Sequence, residues 1–385
     1  MNMYDYLKWR GDLSFAQDGF NIVDNLLFSY ACYTDLSEVI KEDETITLKE
    51  AAERYFETHK EEEVLKSGSF IAHAPVILRR MGESNRFGDV KMSGYIRNVD
   101  KSSTEQFSAV CFEYEPRKAY IAFCGTDDTI IGWKEDFQMS YKVINAQKKA
   151  AKYLNSVAKK PFFTYNVGGH SKGGTLAFYA AMKANKNIRK KLINVYSNDD
   201  PGLSGMSMDQ EAYDSIKSRI IKIIPEFCIV GLLFDNEEDN LVIKSDKALM
   251  MQHDAVSWQI LGTHFEEGKL AKESLLIHQG LFEFLNSMDI SQREKLVTKM
   301  FETFDKAGIE NTTDFTQKGF PLVIKFLKEV VSVDESARQS FIDLLSVFGK
   351  LASEKAGNTI RQKVKETTDQ ISELLNRDNK KDKSQ

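Results

Sequence analysis

Cysteine is scarce in this chain: four among 385 residues, at positions 32, 111, 124 and 228. They are widely spaced, three lie inside apolar runs, and none has metal-ligand spacing. They therefore read as buried free thiols of a reducing compartment, which argues against a disulfide framework or a metal centre. An excess of positive charge is missing as well. The net charge of -5 and the pI near 5.8 give no electrostatic reason to propose a nucleic-acid partner. No run approaches the roughly 18 apolar residues that a membrane span needs. The opening stretch, MNMYDYLKWRGD, has no apolar centre and carries charges early, unlike a signal peptide. The expectation is a cytoplasmic protein without a membrane span. No internal repeat stands out. With 42% apolar residues there is material for a substantial core, and the length exceeds that of a usual single domain.

What the chain does have is one stretch around which the rest is arranged, FFTYNVGGHSKGGTLA at 162–177. Phe162, Phe163, Tyr165 and Val167 form an aromatic and β-branched run that reads as a buried strand. It stops at Gly168-Gly169-His170-Ser171-Lys172-Gly173-Gly174, and Leu176, Ala177, Ala180 and Ala181 then follow a helical pattern. Strand, tight turn and helix around Gly-x-Ser-x-Gly is the context of a nucleophile elbow, in which Ser171 takes a strained conformation and its second neighbours must be small. Those neighbours are Gly169 and Gly173. The N-terminus of the next helix would face the hydroxyl and offer N–H groups to a developing oxyanion.

In order along the chain, Phe20, Val23, Leu26, Leu27 and Tyr30 recur at helical spacing, and 38–66 reads as solvated surface helices. A mixed helix is expected over Phe70 to Met81. Asp89 to Val99 opens a strand-rich section. FSAVCFE (107–113) and AYIAFC (119–124), joined by a turn, read as an antiparallel hairpin. Val143 to Ala158 is helical and leads into the elbow strand. Leu192 to Tyr196 is a strand closed by Ser197-Asn198-Asp199-Asp200-Pro201-Gly202. A polar helix over Met208 to Lys217 precedes a strand at Ile220 to Ile224, a greasy run at Ile229 to Phe234, a short strand at Leu241 to Lys244, and Gln252-His253-Asp254. Strands alternating with helices around a central elbow predict an α/β fold with a mostly parallel sheet. From Lys269 the pattern turns to helices only. Asp289 and Gln292 cap one that carries Leu296, Val297, Met300, Phe301 and Phe304 and is stopped by Gly308. Further helices are expected over Leu322 to Val331 and Phe341 to Phe348, and Ile360, Val364, Ile371 and Leu374 share an apolar stripe suited to packing or self-association. The tail from Asn376 is polar and reads as disordered. The expected domains are 1–268, an α/β domain around the elbow; 269–375, a helical region; and 376–385, a disordered tail.

IAFCGT (121–126), Trp133 with Asp136, and VGGHSKGG (167–174) together resemble the pattern of class 3 (fungal-type) lipases. YDYLKWRGDLSF (4–15) and QHDAVSW (252–258) resemble an uncharacterised bacterial branch related to them. The resemblance covers residues 1 to 260 and implies an α/β-hydrolase fold and carboxylic-ester hydrolysis without a cofactor. It carries the nucleophile to Ser171 and the oxyanion hole to Thr126 and to the amide of Lys172. Chain order in this fold is nucleophile, acid, histidine. His253, on a loop after a strand, is the expected base; His170 points the wrong way, and His59, His73, His264 and His278 lie elsewhere. For the acid, laying RIIKIIPEFCIVG (219–231) on the pattern puts Cys228 where the family has Asp. Glu226 is the expected substitute, with Asp199 next and Asp235 and Asp239 behind it. Cys124 stands where the family has Arg. Lys172 replaces an apolar residue, which would put a positive charge at the site mouth, favouring acidic substrates or decorating the surface. The expected partner is a small acyl-ester or lipid substrate. The rival expectation is a degenerate hydrolase fold that works as a binding scaffold through its C-terminal helices, as a self-associating or partner-binding element.

Overall fold

A computed structural model describes residues 1–309 apart from 42, 67, 68, 70, 101–103, 128 and 235–238. The chain divides into two compact units, Met1–Leu270 and the part from Ala271 onward. The first is built on one eight-stranded sheet whose strands lie side by side in chain order: β1 Ile46–Thr47, β2 Lys91–Asp100, β3 Glu105–Glu115, β4 Lys118–Phe123, β5 Thr164–His170, β6 Leu192–Asn198, β7 Ile220–Pro225 and β8 Asn240–Ile243. β1 to β4 pair antiparallel. From β4 to β8 every pairing is parallel. The turn between β3 and β4 is tight, with Arg117 at φ 66°, whereas the parallel strands need crossovers. The elbow strand β5 therefore sits inside the sheet, between β4 and β6.

Both faces of the sheet are covered, and the alternation of side chains along β4 shows how. Tyr120 reaches Ser29 and Asn25 of the helix Ile22–Ala31, whereas Phe123, an odd number of residues on, stacks its edge on Tyr153 of the helix Asn145–Val157. Phe28 is the aromatic centre of the first face, with ring contacts to Phe15, Phe20, Phe87, Phe112, Tyr114 and Tyr120.

One buried ion pair ties the N-terminal segment down. Asp24 and Arg86 have fully buried side chains 2.5 Å apart, and the guanidinium also donates to the carbonyls of Leu13, Asp18 and Gly19. The planar fork satisfies both carboxylate oxygens at once.

Several elements differ from expectation for identifiable reasons. Within 38–66 the helix Leu48–Thr58 buries Leu48, Ala51, Ala52 and Tyr55, because its sparse apolar residues fall on one face at i, i+3, i+4 and i+7. The elbow strand begins at Thr164. Phe162 precedes it in a left-handed conformation, φ 61°, and is 81% exposed, with Arg117 over its ring. The polar helix before β7 shrinks to Gln210–Asp214, and the greasy run becomes a short 3-10 turn, Val230–Leu232.

The described part of the second unit holds the helices Lys272–Asn286 and Ile290–Lys306. Asp289 and Gln292 form the expected reciprocal cap, and Gly308 follows the second helix at φ 63°. The helices expected at 322–331 and 341–348, the stripe at 360–374 and the tail lie outside the described residues. Among the described residues no helix is long and apolar enough to cross a membrane.

Arg86→Met should cost about 3–5 kcal/mol in urea unfolding, since it strands the Asp24 carboxylate in the core. Asp24→Asn combined with it should recover part of that loss.

Candidate active site

Ser171 follows β5 with φ 56° and ψ -136°, strained for a residue with a side chain. The turn closes because its neighbours are glycines: a Cβ on Gly169 would lie 2.3 Å from the carbonyl carbon of Gly173, and one on Gly173 would lie 2.1 Å from the oxygen of Phe123. The Ser171 N–H donates to the Asn198 carbonyl at 2.9 Å, and its own carbonyl accepts from Gly174.

The parallel register of β5 and β6 pairs His170 with Asn198. The next residues, Ser171 and Asp199, thus leave the ends of adjacent strands at the same level. His253 closes the 3-10 turn Leu249–His253 beyond β8 and bridges them. Its Nε2 lies 3.0 Å from Ser171 Oγ and its Nδ1 2.6 Å from Asp199 Oδ2. Asp199 is buried. Its Oδ1 accepts from the Cys228 thiol at 3.0 Å and the Gly231 N–H at 3.1 Å. Burial alone would raise its pKa, but the facing His253 and the Cys228 hydrogen bond outweigh that and hold the carboxyl below its ordinary range.

The residue against His253 is therefore Asp199, and Glu226 stands apart. The Glu226 backbone extends the β7–β8 pairing by donating to Ile243, and its side chain turns to Gly268 and accepts from the Lys269 N–H at 3.3 Å. β7 is one strand further from Ser171 than β6, so a carboxylate from β6 reaches the imidazole first. Cys228, where the lipase pattern would have an aspartate, instead donates to that carboxylate.

Thr126 follows β4 and is buried. Its hydroxyl donates to Asp136 Oδ2 at 2.6 Å, from the helix Ile130–Gln138. Burial pushes Asp136 up to about 6 against the lowering influence of Lys172 and Thr126, and among the described residues its Oδ1 has no hydrogen-bond partner. Lys172, the first residue of the helix Lys172–Lys183, has an N–H left unpaired by the helix itself. Its side chain corrects the expectation of a charge at the site mouth. It is fully buried and pairs with the equally buried Glu135 at 2.9 Å, because the helix start turns this position beneath the helix Ile130–Gln138. Burial would lower its pKa, yet Glu135 and Asp136 outweigh burial and raise it. Cys124 is buried as well, and all four cysteines are buried thiols outside any disulfide.

A family model described as Mbeg1-like matches residues 81–302, 222 of the 385. The chain belongs to the Mbeg1-like family. The matched segment contains Thr126, Ser171, Asp199 and His253 together. None of the curated proteins matches the chain. It is similar to the solved crystal structure of an M37 lipase, at 15% identity and a TM-score of 0.30, over 54% of this chain and 68% of that one; a likeness so distant bears on neither activity nor substrate.

In this Mbeg1-like chain the second histidine of the site, His170, lies under the first. It is buried, with Nδ1 3.0 Å from the Tyr33 hydroxyl and Nε2 2.9 Å from the His253 carbonyl oxygen. A neutral ring that donates from Nε2 and accepts at Nδ1 satisfies both contacts. Burial first, then the nearby His253, lower its pKa to about 3. The unfolded chain binds this proton below its ordinary 6.5 and the folded chain only near 3, so stability is lost as pH falls through that interval. The full interval is worth on the order of 5 kcal/mol. Thermal midpoints from pH 7 to 4 should drop more steeply for the wild type than for His170→Gln; parallel slopes would refute this assignment.

Of the other histidines, His73 touches Tyr4, His59 stacks on Tyr55, and His264 lies in a short hairpin, all away from Ser171 in their contacts. Asp199 did leave a sequence signal, as a carboxylate placed directly after the strand that follows the elbow.

Proposed function

We propose that this protein is a cytoplasmic serine hydrolase that cleaves carboxylic esters, lipid esters included, with a site related to that of class 3 lipases. The observation that carries the reading is the hydrogen-bonded series from Ser171 Oγ through His253 to Asp199, at 3.0 and 2.6 Å, on a strained elbow. Ser171 attacks the acyl carbon while His253 Nε2 takes the hydroxyl proton. Asp199, ionised, orients the imidazole and stabilises its charged form, with Cys228 and Gly231 holding the opposite carboxylate oxygen. The tetrahedral oxyanion is met by N–H groups of Thr126 and Lys172. His253 then delivers the proton to the leaving alcohol. Water, activated by the same imidazole, attacks the acyl-enzyme and releases the acid and free Ser171. Every step uses side chains and amides of the chain.

Labelling with a fluorophosphonate probe tests the reading. The wild type should be modified at Ser171, with labelling lost in Ser171→Ala and His253→Ala. Asp199→Asn should lower turnover of a p-nitrophenyl ester by about 10³–10⁴-fold, whereas Glu226→Gln should stay within twofold of wild type. A folded wild type that does not label would refute the hydrolase reading and favour a scaffold role.

A further inference from the structure

The Lys172 ammonium is in an unusual place: it belongs to the residue beside the nucleophile, is fully buried, and yet touches none of Ser171, His253 or Asp199. Its three protons have three acceptors, Glu135 Oε2 at 2.9 Å, Gln106 Oε1 at 3.1 Å and the Gln106 carbonyl at 3.2 Å. Each acceptor is itself held. Glu135 Oε2 also accepts from the Gln106 N–H at 3.2 Å, and Oε1 from the Ala146 N–H at 3.4 Å. Gln106 Oε1 also accepts from the Asp127 N–H at 3.3 Å. The ammonium therefore bridges, through a single oxygen, from the start of the elbow helix to the residue after Thr126. That oxygen is shared by the two segments that supply the oxyanion amides. The segment is crowded as well: a Cβ on Gly132 would fall 2.5 Å from Thr126 Cγ2 and 2.6 Å from Gln106 Oε1.

We propose that the Lys172 side chain, gripped by Glu135 and Gln106, is a positioning device that sets the spacing between the Thr126 and Lys172 amides of the oxyanion hole. The inference rests on the serine-hydrolase reading and adds Glu135 and Gln106 as positioning residues, neither of which touches substrate. A buried point charge with three fixed acceptors has one geometry, so the amide on the same residue is held to the same frame. An apolar residue at 172 would leave the 126–127 segment tied to Gln106 but free to shift against the elbow. Such a shift weakens stabilisation of the tetrahedral state, where geometry counts most, and leaves ground-state binding alone.

The test compares the wild type with Lys172→Met/Glu135→Met, which replaces the pair by apolar side chains of similar volume and so avoids stranding one charge. Folding is checked by circular dichroism and thermal midpoint, and activity with p-nitrophenyl butyrate and fluorophosphonate labelling. A folded double variant should lose kcat by tenfold or more and label correspondingly slowly, with KM within about threefold of wild type. A folded variant whose kcat stays within twofold, or whose loss lies in KM alone, overturns the positioning role and leaves the serine-hydrolase reading standing. A wild type that neither labels nor turns over overturns both. Should the double variant not fold, Glu135→Gln decides: it keeps shape and an acceptor but removes the charge, so a kcat reduced at least threefold at constant KM supports the proposal, and an unchanged kcat overturns it.

Discussion

The close approach of three backbone segments at the elbow is the constraint on which the rest of the structure depends. Residues 169, 173 and the end of β4 come so near that no Cβ fits at either glycine. The closure forces Ser171 to a positive φ, a strain of about 1–3 kcal/mol that only an over-determined surrounding can hold. The surrounding is over-determined here. β5 is hydrogen-bonded on both sides, and the Ser171 amide is tied to Asn198. Asn198 in turn donates to the Gly169 carbonyl and to Asn25 of the helix below. Strain at one residue is thus offset by hydrogen bonds drawn from three elements.

Buried charge is handled in the same way. Asp24 with Arg86 and Lys172 with Glu135 each combine an opposite charge with further donors or acceptors, and Asp199 is met by hydrogen bonds from His253, Cys228 and Gly231, as removal from water requires. Asp136 is the contrast. It sits among these groups with one oxygen satisfied by Thr126 and its pKa raised to about 6 by burial. The helix Ile130–Gln138 therefore presents two consecutive carboxylates with different fates. Glu135 holds Lys172, the residue after Ser171, and Asp136 holds the hydroxyl of Thr126.

Legibility in the sequence followed the range of the interactions. The elbow, the hairpin of β3 and β4, the helix over Ile22–Ala31 and the reciprocal cap at Asp289 are local, written in spacing and turn chemistry within a dozen residues. Ser171 and His253, which the fold brings within 3.0 Å of one another, stand out in the sequence as well, the first through its glycines and the second because few histidines follow the elbow. Alignment to a pattern favours Glu226 over Asp199 because it counts residues, whereas the distance to an imidazole depends on which strand is adjacent and where it ends.

By itself the sequence determined the strands from β2 to β8 and most of the helices between them, the glycine-gated serine and the set of ionisable residues from which a site could be drawn. Only the tertiary structure decided which of them meet. The pairing of His170 with Asn198 brings Ser171 and Asp199 level across two strands 28 residues apart in the chain. The packing of the helix Ile130–Gln138 over the elbow turns Lys172 inward onto Glu135, 37 residues away. Contacts between residues so distant in the chain are set by sheet register and helix packing, and these depend on every element of the core at once.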